Sequence, residues 1–200
     1  LEYEHGVFHP LGGCSAVTER MAEIATEMGV EIHLEEGVDQ IEFRGKRAVG
    51  VRTPQGAYDC DALVVNADFS HSMQKLVPNH LRNRWNDRQL QRKRYSCSTF
   101  MLYLGIEGSY DNLAHHTIYI ARDYNRNLKD IEQRQILSDD PSFYVQNACV
   151  TDPGLAPPGC STLYVLLPVP HMNPNVNWAL EQASFRRLAF RQLAKIGLSD

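Results

Sequence analysis

What this 200-residue chain lacks narrows its function before any motif is read. No uncharged apolar run approaches the roughly 20 residues that a membrane-spanning helix needs. There is no Cys-x-x-Cys pair. Cys14, Cys60, Cys97, Cys149 and Cys160 are odd in number and widely spaced, which argues against a disulfide framework or a metal site and for a reducing, cytoplasmic setting. Positive charge is not in excess: the formal net charge is −4, so nothing global favours nucleic acid. The opening Leu1-Glu2-Tyr3-Glu4-His5 is acidic and polar, unlike a secretory signal. No internal repeat is visible. No Gly-x-Gly-x-x-Gly follows a strand, so the turn that cradles a dinucleotide pyrophosphate is missing. The absence of an initiator Met and the stop just after an amphipathic segment suggest a piece of a longer protein.

What is present is an ordinary globular composition, 43% hydrophobic and 22% charged. From Cys14 to Gly29 the apolar residues Ala16, Val17, Met21, Ile24, Ala25 and Met28 recur at helical spacing, and Gly29 suits the C′ position. Strands are expected at Glu31–Leu34, Val38–Phe43 and Ala48–Arg52, with tight turns at Arg44-Gly45-Lys46 and Pro54-Gln55-Gly56. Ala62-Leu63-Val64-Val65-Asn66 is a continuous apolar run, as in a strand buried on both faces. This order reads as the second half of a doubly wound dinucleotide-binding domain with an inserted β-meander, residues 1–68. Beyond Asp68 come a short helix Phe69–Leu76 and a basic helix His80–Arg94. Strands follow at 98–106, 116–121, 142–146 and 161–169, with a helix Asn127–Leu137 among them. A closing helix, about 176–196, places Trp178, Phe185, Leu188, Ala189, Gln192 and Leu193 on one side. Residues 69–200 therefore read as an α+β domain on a mostly antiparallel sheet with helices on one side. The fold class is α/β plus α+β.

Five phrases in order resemble the bacterial-type carotenoid (phytoene) desaturases of the FAD-dependent amine-oxidoreductase superfamily. They are Phe8-His9-Pro10-Leu11-Gly12-Gly13, Ala62–Asp68, Leu113-Ala114-His115-His116-Thr117-Ile118, Cys149–Gly159 and Val165–His171. The resemblance implies an FAD domain interleaved with a substrate domain, a long polyene substrate, and hydride transfer to flavin. It also implies a protein peripheral on the inner face of a membrane. With the pyrophosphate turn missing, these residues alone are expected to hold FAD weakly or not at all. Other readings stay open: a carotenoid isomerase or oxidase, an amine oxidase, or a non-enzymatic lipid-binding α+β module.

The same resemblance implies that the Val38 backbone meets the adenine edge, although an ordinary strand valine is the plain alternative. Asn66 and Ala67 end the apolar run where ligands collect in open α/β sheets; with Asp68 they equally suit turns and caps. Gly12 and Gly13 precede a helix, so their amides could face the cofactor or the polyene, or simply make a turn. Desaturation releases a proton, and Asp152, His171 and His115 are the candidate bases. On a strand the adjacent His115 and His116 rings would point to opposite faces, a poor geometry for one metal ion. Phe100, Met101, Tyr103, Tyr119, Tyr144 and Tyr164 are candidates for a polyene tunnel or for plain core. The basic run Arg82–Arg94 suits a membrane surface or a solvated helix face.

Overall fold

The computed structural model describes residues 2–198, with side chains from Glu4 onward. The chain forms two compact units, Ile24–Arg94 and a discontinuous one joining Leu1–Glu23 to Tyr95–Asp200. Helices, in chain order, are α1 (Glu2–His5), α2 (Gly13–Glu27), α3 (Phe69–Leu76), α4 (Asp87–Gln91), α5 (Tyr124–Lys129) and α6 (Trp178–Leu193). Strands are β1 (Gln40–Arg44), β2 (Arg47–Arg52), β3 (Ala57–Asp59), β4 (Ser98–Glu107), β5 (His116–Tyr119), β6 (Phe143–Asn147) and β7 (Cys160–Val169).

In the Ile24–Arg94 unit, β1, β2 and β3 make an antiparallel meander. Gly45, at φ +66°, turns the chain between β1 and β2 without a Cβ penalty. Helix α3 packs on β1, so the unit does not break at Asp68, where the change in sequence character suggests a boundary. Ser72 of α3 and Ile41 of β1 are both buried. The basic stretch does not form one helix from His80. A 3₁₀ turn at Asn79–Leu81 is followed by the short α4, capped where the Asn86 side chain accepts from Gln89 N–H. Arg82 explains the break: its guanidinium is buried, paired with Asp87 at 2.8 Å and bonded to Trp85 O, which pulls the backbone off helical course.

Two expected strands do not form. Residues 31–34 and 62–66 run without a ladder, and Val64 is 89% exposed. A strand needs a neighbour that pairs with its N–H and C=O groups, and among the described residues neither segment is paired in a ladder. Helix α2 does form, ending at Gly29 (φ +88°), but it buries no residue. Its apolar stripe, Val17, Met21, Ile24 and Met28, stays uncovered.

The larger unit is built on a sheet of order β4-β7-β6-β5, antiparallel throughout. Strict alternation in β7 sends Leu163, Val165, Leu167 and Val169 to one face, all buried. Helix α6 covers that face with Phe185, Ala189 and Leu193 at i, i+4 and i+8. Fully burying each large apolar side chain contributes about 1.5–3 kcal/mol. Asn177 caps α6 by accepting from Ala179 N–H. The expected helix at 127–137 starts earlier, at Tyr124, and ends in a π-turn over Asp130–Arg134, because buried Asp130 draws in Arg126 and Arg134 and Gln135 adopts φ 54°.

Gly50 marks the tightest point of the meander. A methyl group there would sit 2.6 Å from Tyr58 O on β3, so Gly50→Ala should force β2 and β3 apart. We expect a loss of about 1–3 kcal/mol and a clearly lower midpoint in a thermal melt. An unchanged melt would show that the meander yields freely.

Candidate functional site

Each unit carries a candidate site. In the Ile24–Arg94 unit a cleft of about 400 Å³ is lined by Gly37, Val38, Ile41 and Val51, by residues 63–67, and by His71, Ser72, Lys75 and Leu76 of α3. Val38, Asn66 and Ala67, singled out separately in the sequence, thus line one cavity. Val38 stands just outside the meander ladder, whose first pair is Gln40 with Arg52 and whose flanking bond runs from Asp39 N–H to Arg52 O. Asp68 caps α3, accepting from His71 N–H at 2.7 Å. Glu36 fixes the loop leading to Val38: its carboxylate accepts from the Thr53 hydroxyl and from Tyr58 OH (2.9 Å) and faces His33 Nδ1 at 3.2 Å. The Thr53 bond first, then Tyr58 and His33, hold this carboxyl below the usual carboxylate range, against an opposing effect of burial.

The second site lies on the uncovered face of the four-stranded sheet. Strand register sets Met101, Leu166, Tyr144 and Ile118 in one row across the sheet and Tyr103, Tyr164, Gln146 and His116 in the next. Tyr103, Tyr144 and Tyr164 are in edge-to-face contact at 5.3 and 6.1 Å. Phe100 and Tyr119, on the opposite parity, pack into the α6 core instead. Between the aromatic walls a cleft of about 290 Å³ runs over Gly105, Ala148 and Thr162 and is edged by Gln146. None of its lining residues carries a charge.

At the edge of this face a polar cluster joins distant segments. Asp152, 9% exposed, accepts from Gly12 N–H at 2.7 Å and from Gly154 N–H at 3.2 Å. Gly12 (φ +84°) and Gly13 (φ +79°) both occupy the left-handed region, which lets the loop fold down onto Asp152. His9 places its buried, unbonded Nε2 4.0 Å from the Asp152 carboxylate. The His9 ring lies 4.8 Å from that of His115, which lies 4.3 Å from that of His116. The two adjacent histidines therefore share one side of the sheet. His115 precedes the strand, so strand alternation does not govern it. Asn147 holds its backbone, donating N–H to His115 O and Nδ2 to Tyr110 O and Leu113 O.

His115 Nδ1 is 2.6 Å from Thr151 Oγ1 and its Nε2 is 3.2 Å from Gln146 Nε2. Since an amide nitrogen only donates, Nε2 is the acceptor and Nδ1 carries the proton. Burial, and then the neighbouring His116 and His9, push the His115 pKa down. Burial and Tyr164 push the Tyr144 pKa up, so the phenol stays protonated 2.7 Å from His116 Nδ1.

The three candidate bases do not converge. His115 and Asp152 belong to this cluster, whereas His171 lies beyond the far end of β7, against Gln135 and Tyr95. His9, Gln146 and Thr151 are not among the candidates that the sequence offers; His9 and Thr151 stand in family-like phrases, but only folding brings them to Asp152 and His115. Among the described residues no group of three His, Cys, Asp or Glu side chains is arranged to hold a metal ion.

The chain matches the flavin containing amine oxidoreductase family over residues 1–195. It belongs to that family. It is 41% identical, over its whole length, to the 4,4′-diapophytoene desaturase (4,4′-diapolycopene-forming) of Methylomonas sp. It is 39% identical to an all-trans-zeta-carotene desaturase of Myxococcus xanthus over 99% of the chain, and 39% identical to a lycopene-forming phytoene desaturase of Pseudescherichia vulneris over 96%. In these three proteins the matched region makes up 39%, 38% and 40% of the length, so the chain spans about two fifths of each relative. An oxidoreductase from Methanosarcina mazei shares the fold at TM-score 0.65, with 16% identity, over 94% of this chain and 39% of that one.

Because the Glu36 pKa is lowered on folding, its stabilisation is present above the unfolded carboxylate pKa and fades as pH falls through the lower folded value. Urea unfolding of the wild type and Glu36→Gln should differ at pH 7 and converge in the acid range. A difference independent of pH would assign the effect to packing.

Proposed function

We propose that this chain is part of an FAD-dependent oxidoreductase that desaturates a long acyclic polyene, in carotenoid biosynthesis, by hydride transfer to flavin. The observation that carries the reading is the uncovered sheet face: rows of tyrosine and aliphatic side chains, with a cleft free of charge, suit a flat conjugated hydrocarbon. The desaturase names of relatives at 39–41% identity support the same reading.

The cleft beside Val38 fits one end of FAD. The Val38 backbone is not committed to the ladder, Gly37 and Ala67 leave room for close approach, and His71 and Lys75 offer polar groups at the rim. Val38, Asn66 and Ala67 would hold the adenine end, and the loop at Gly12 and Gly13 would face the flavin or the polyene. Doubly wound architecture for the FAD domain is part of this proposal. It accounts for the bare apolar stripe of α2 and the bare run 62–66, which further strands and helices of the longer protein would cover.

When bound, FAD supplies a two-electron acceptor for a hydride. The remaining steps belong to this chain. Tyr103, Tyr144 and Tyr164 grip the polyene and exclude water. Their ring faces also stabilise the positive charge left on an allylic carbon after the hydride departs, an interaction worth about 0.5–2 kcal/mol. The proposal includes contact with a membrane surface, from which such a substrate is drawn. Lys93 Nζ at 4.1 Å from the Trp85 ring centroid, with Arg84 beside it, offers an aromatic and cationic patch to anionic headgroups. Among the described residues no helix is long and apolar enough to cross a membrane.

The test uses the longer protein that carries this chain, purified with FAD. Expected results are a bound-flavin spectrum that bleaches anaerobically on adding phytoene-type polyene, and a red-shifted product. No flavin spectrum, or no bleaching with any acyclic polyene, refutes the reading. A Cβ on Gly105 meets nothing within 4 Å, so Gly105→Trp should fold, fill the cleft and raise KM for polyene about tenfold or more with the flavin spectrum intact. An unaltered KM would place the substrate elsewhere.

A further inference from the structure

Proton removal has no assigned owner among the residues of the open face, and the polar cluster at its edge supplies one. We propose that His115 is the proton acceptor for the substrate carbon on this face, and that Asp152 is a positioning residue that holds His9 and the Gly12 turn against it. The assignment rests on the desaturase reading above.

Geometry separates the two roles. Both Asp152 carboxylate oxygens are taken by backbone N–H groups, Oδ2 by Gly12 and Oδ1 by Gly154, and the side chain is buried away from the aromatic rows. Both donors are backbone amides of fixed turns, so this carboxylate is committed to holding the loop and is not free to turn toward a ligand on the sheet. Its remaining neighbour is the buried Nε2 of His9, which has no hydrogen-bond partner. His115 is arranged differently. Thr151 fixes the Nδ1–H, the Asn147 N–H bond fixes the backbone, and the lone pair of Nε2 accepts from the side-chain amide of Gln146, which must swing aside before a substrate proton can reach it. Gln146 sits in the same cross-strand row as Tyr103, Tyr164 and His116 and edges the cleft. A side-chain amide presents a donor and an acceptor at nearly equal geometry. A half-turn of the Gln146 amide thus converts a partner of neutral imidazole into a partner of imidazolium.

The step balances. One allylic C–H bond breaks with both electrons, and the hydride departs to the flavin, the oxidant. The C–H bond of the neighbouring carbon then breaks, its electron pair becomes the new C=C, and the proton ends on His115 Nε2. The imidazolium later returns it to solvent. Groups facing His115 are His9 and His116 by ring contact, Tyr144 through His116, and Asp152 through His9. Desolvation and the two neighbouring rings favour the neutral ring, the form a base requires. The acid limb of the kcat profile should therefore lie below the ordinary histidine range.

The experiment compares the FAD-loaded longer protein with its His115→Gln, His116→Gln, Asp152→Asn and His171→Gln variants. His115→Gln should lower kcat about 10²-fold or more, abolish the acid limb, and leave KM and the flavin spectrum in place. Asp152→Asn should lower kcat less and shift that limb without removing it, while His171→Gln should match the wild type. Independently of turnover, ¹⁵N spectra of this chain should show His115 as the neutral Nδ1–H tautomer at pH 7. The proposal is overturned if His115→Gln keeps kcat and the acid limb, if His116→Gln alone removes that limb, or if the His115 ring is charged at pH 7. A wild type that holds no flavin or turns over no polyene is a different outcome, and it sinks the desaturase reading itself.

Discussion

Everything in the larger unit depends on the ten-residue antiparallel pairing of β4 with β7. Its register, Ser98 with Val169 through to Glu107 with Cys160, decides which side chains meet α6 and which remain on the open face. A slip of one residue would exchange the two sets. Leu163, Val165 and Leu167 would leave the core, while Tyr164 would enter it. The same alternation that builds the core therefore builds the aromatic surface, and neither can be altered alone.

Polar side chains complete what the ladder begins. Asn147, almost fully buried, ties the loop ahead of β5 to the end of β6 through three hydrogen bonds. Asp152 does the same for the Gly12 turn. Leaving such buried groups unpaired costs about 1–3 kcal/mol each, so these loops have few alternative positions. Rigid loops around a histidine cluster are what a precise proton transfer needs.

Legibility in the sequence followed the range of the interactions. Strands β4 to β7 and helix α6 carry their own periodicity, and their limits fall close to those expected from apolar spacing alone. Where partners are remote or absent, pattern misleads: residues 62–66 look like a central strand, yet nothing described pairs with them. The Arg82–Arg94 stretch looks like one solvated helix because sequence cannot show that Arg82 turns inward to Asp87. Val38, Asn66 and Ala67 stood out one at a time, and the cavity they share with α3 is a product of folding. His9 stood in one of the family-like phrases, with nothing local to mark it as part of a site. Its role appears only beside Asp152 and His115, since proximity across so much chain is not encoded in spacing.

The Gly12–Asp152 bond spans 140 residues of chain. Closing a loop of that length costs entropy that nearby contacts must first offset, and contacts of high sequence separation are reached slowly. The four-stranded sheet can form from residues 98–169 without the first twenty. The histidine cluster therefore depends on a closure that the sheet itself does not need. The bond that ties the Gly12 turn to Asp152 is thus a separate long-range closure, added to a sheet whose own pairings lie within residues 98–169.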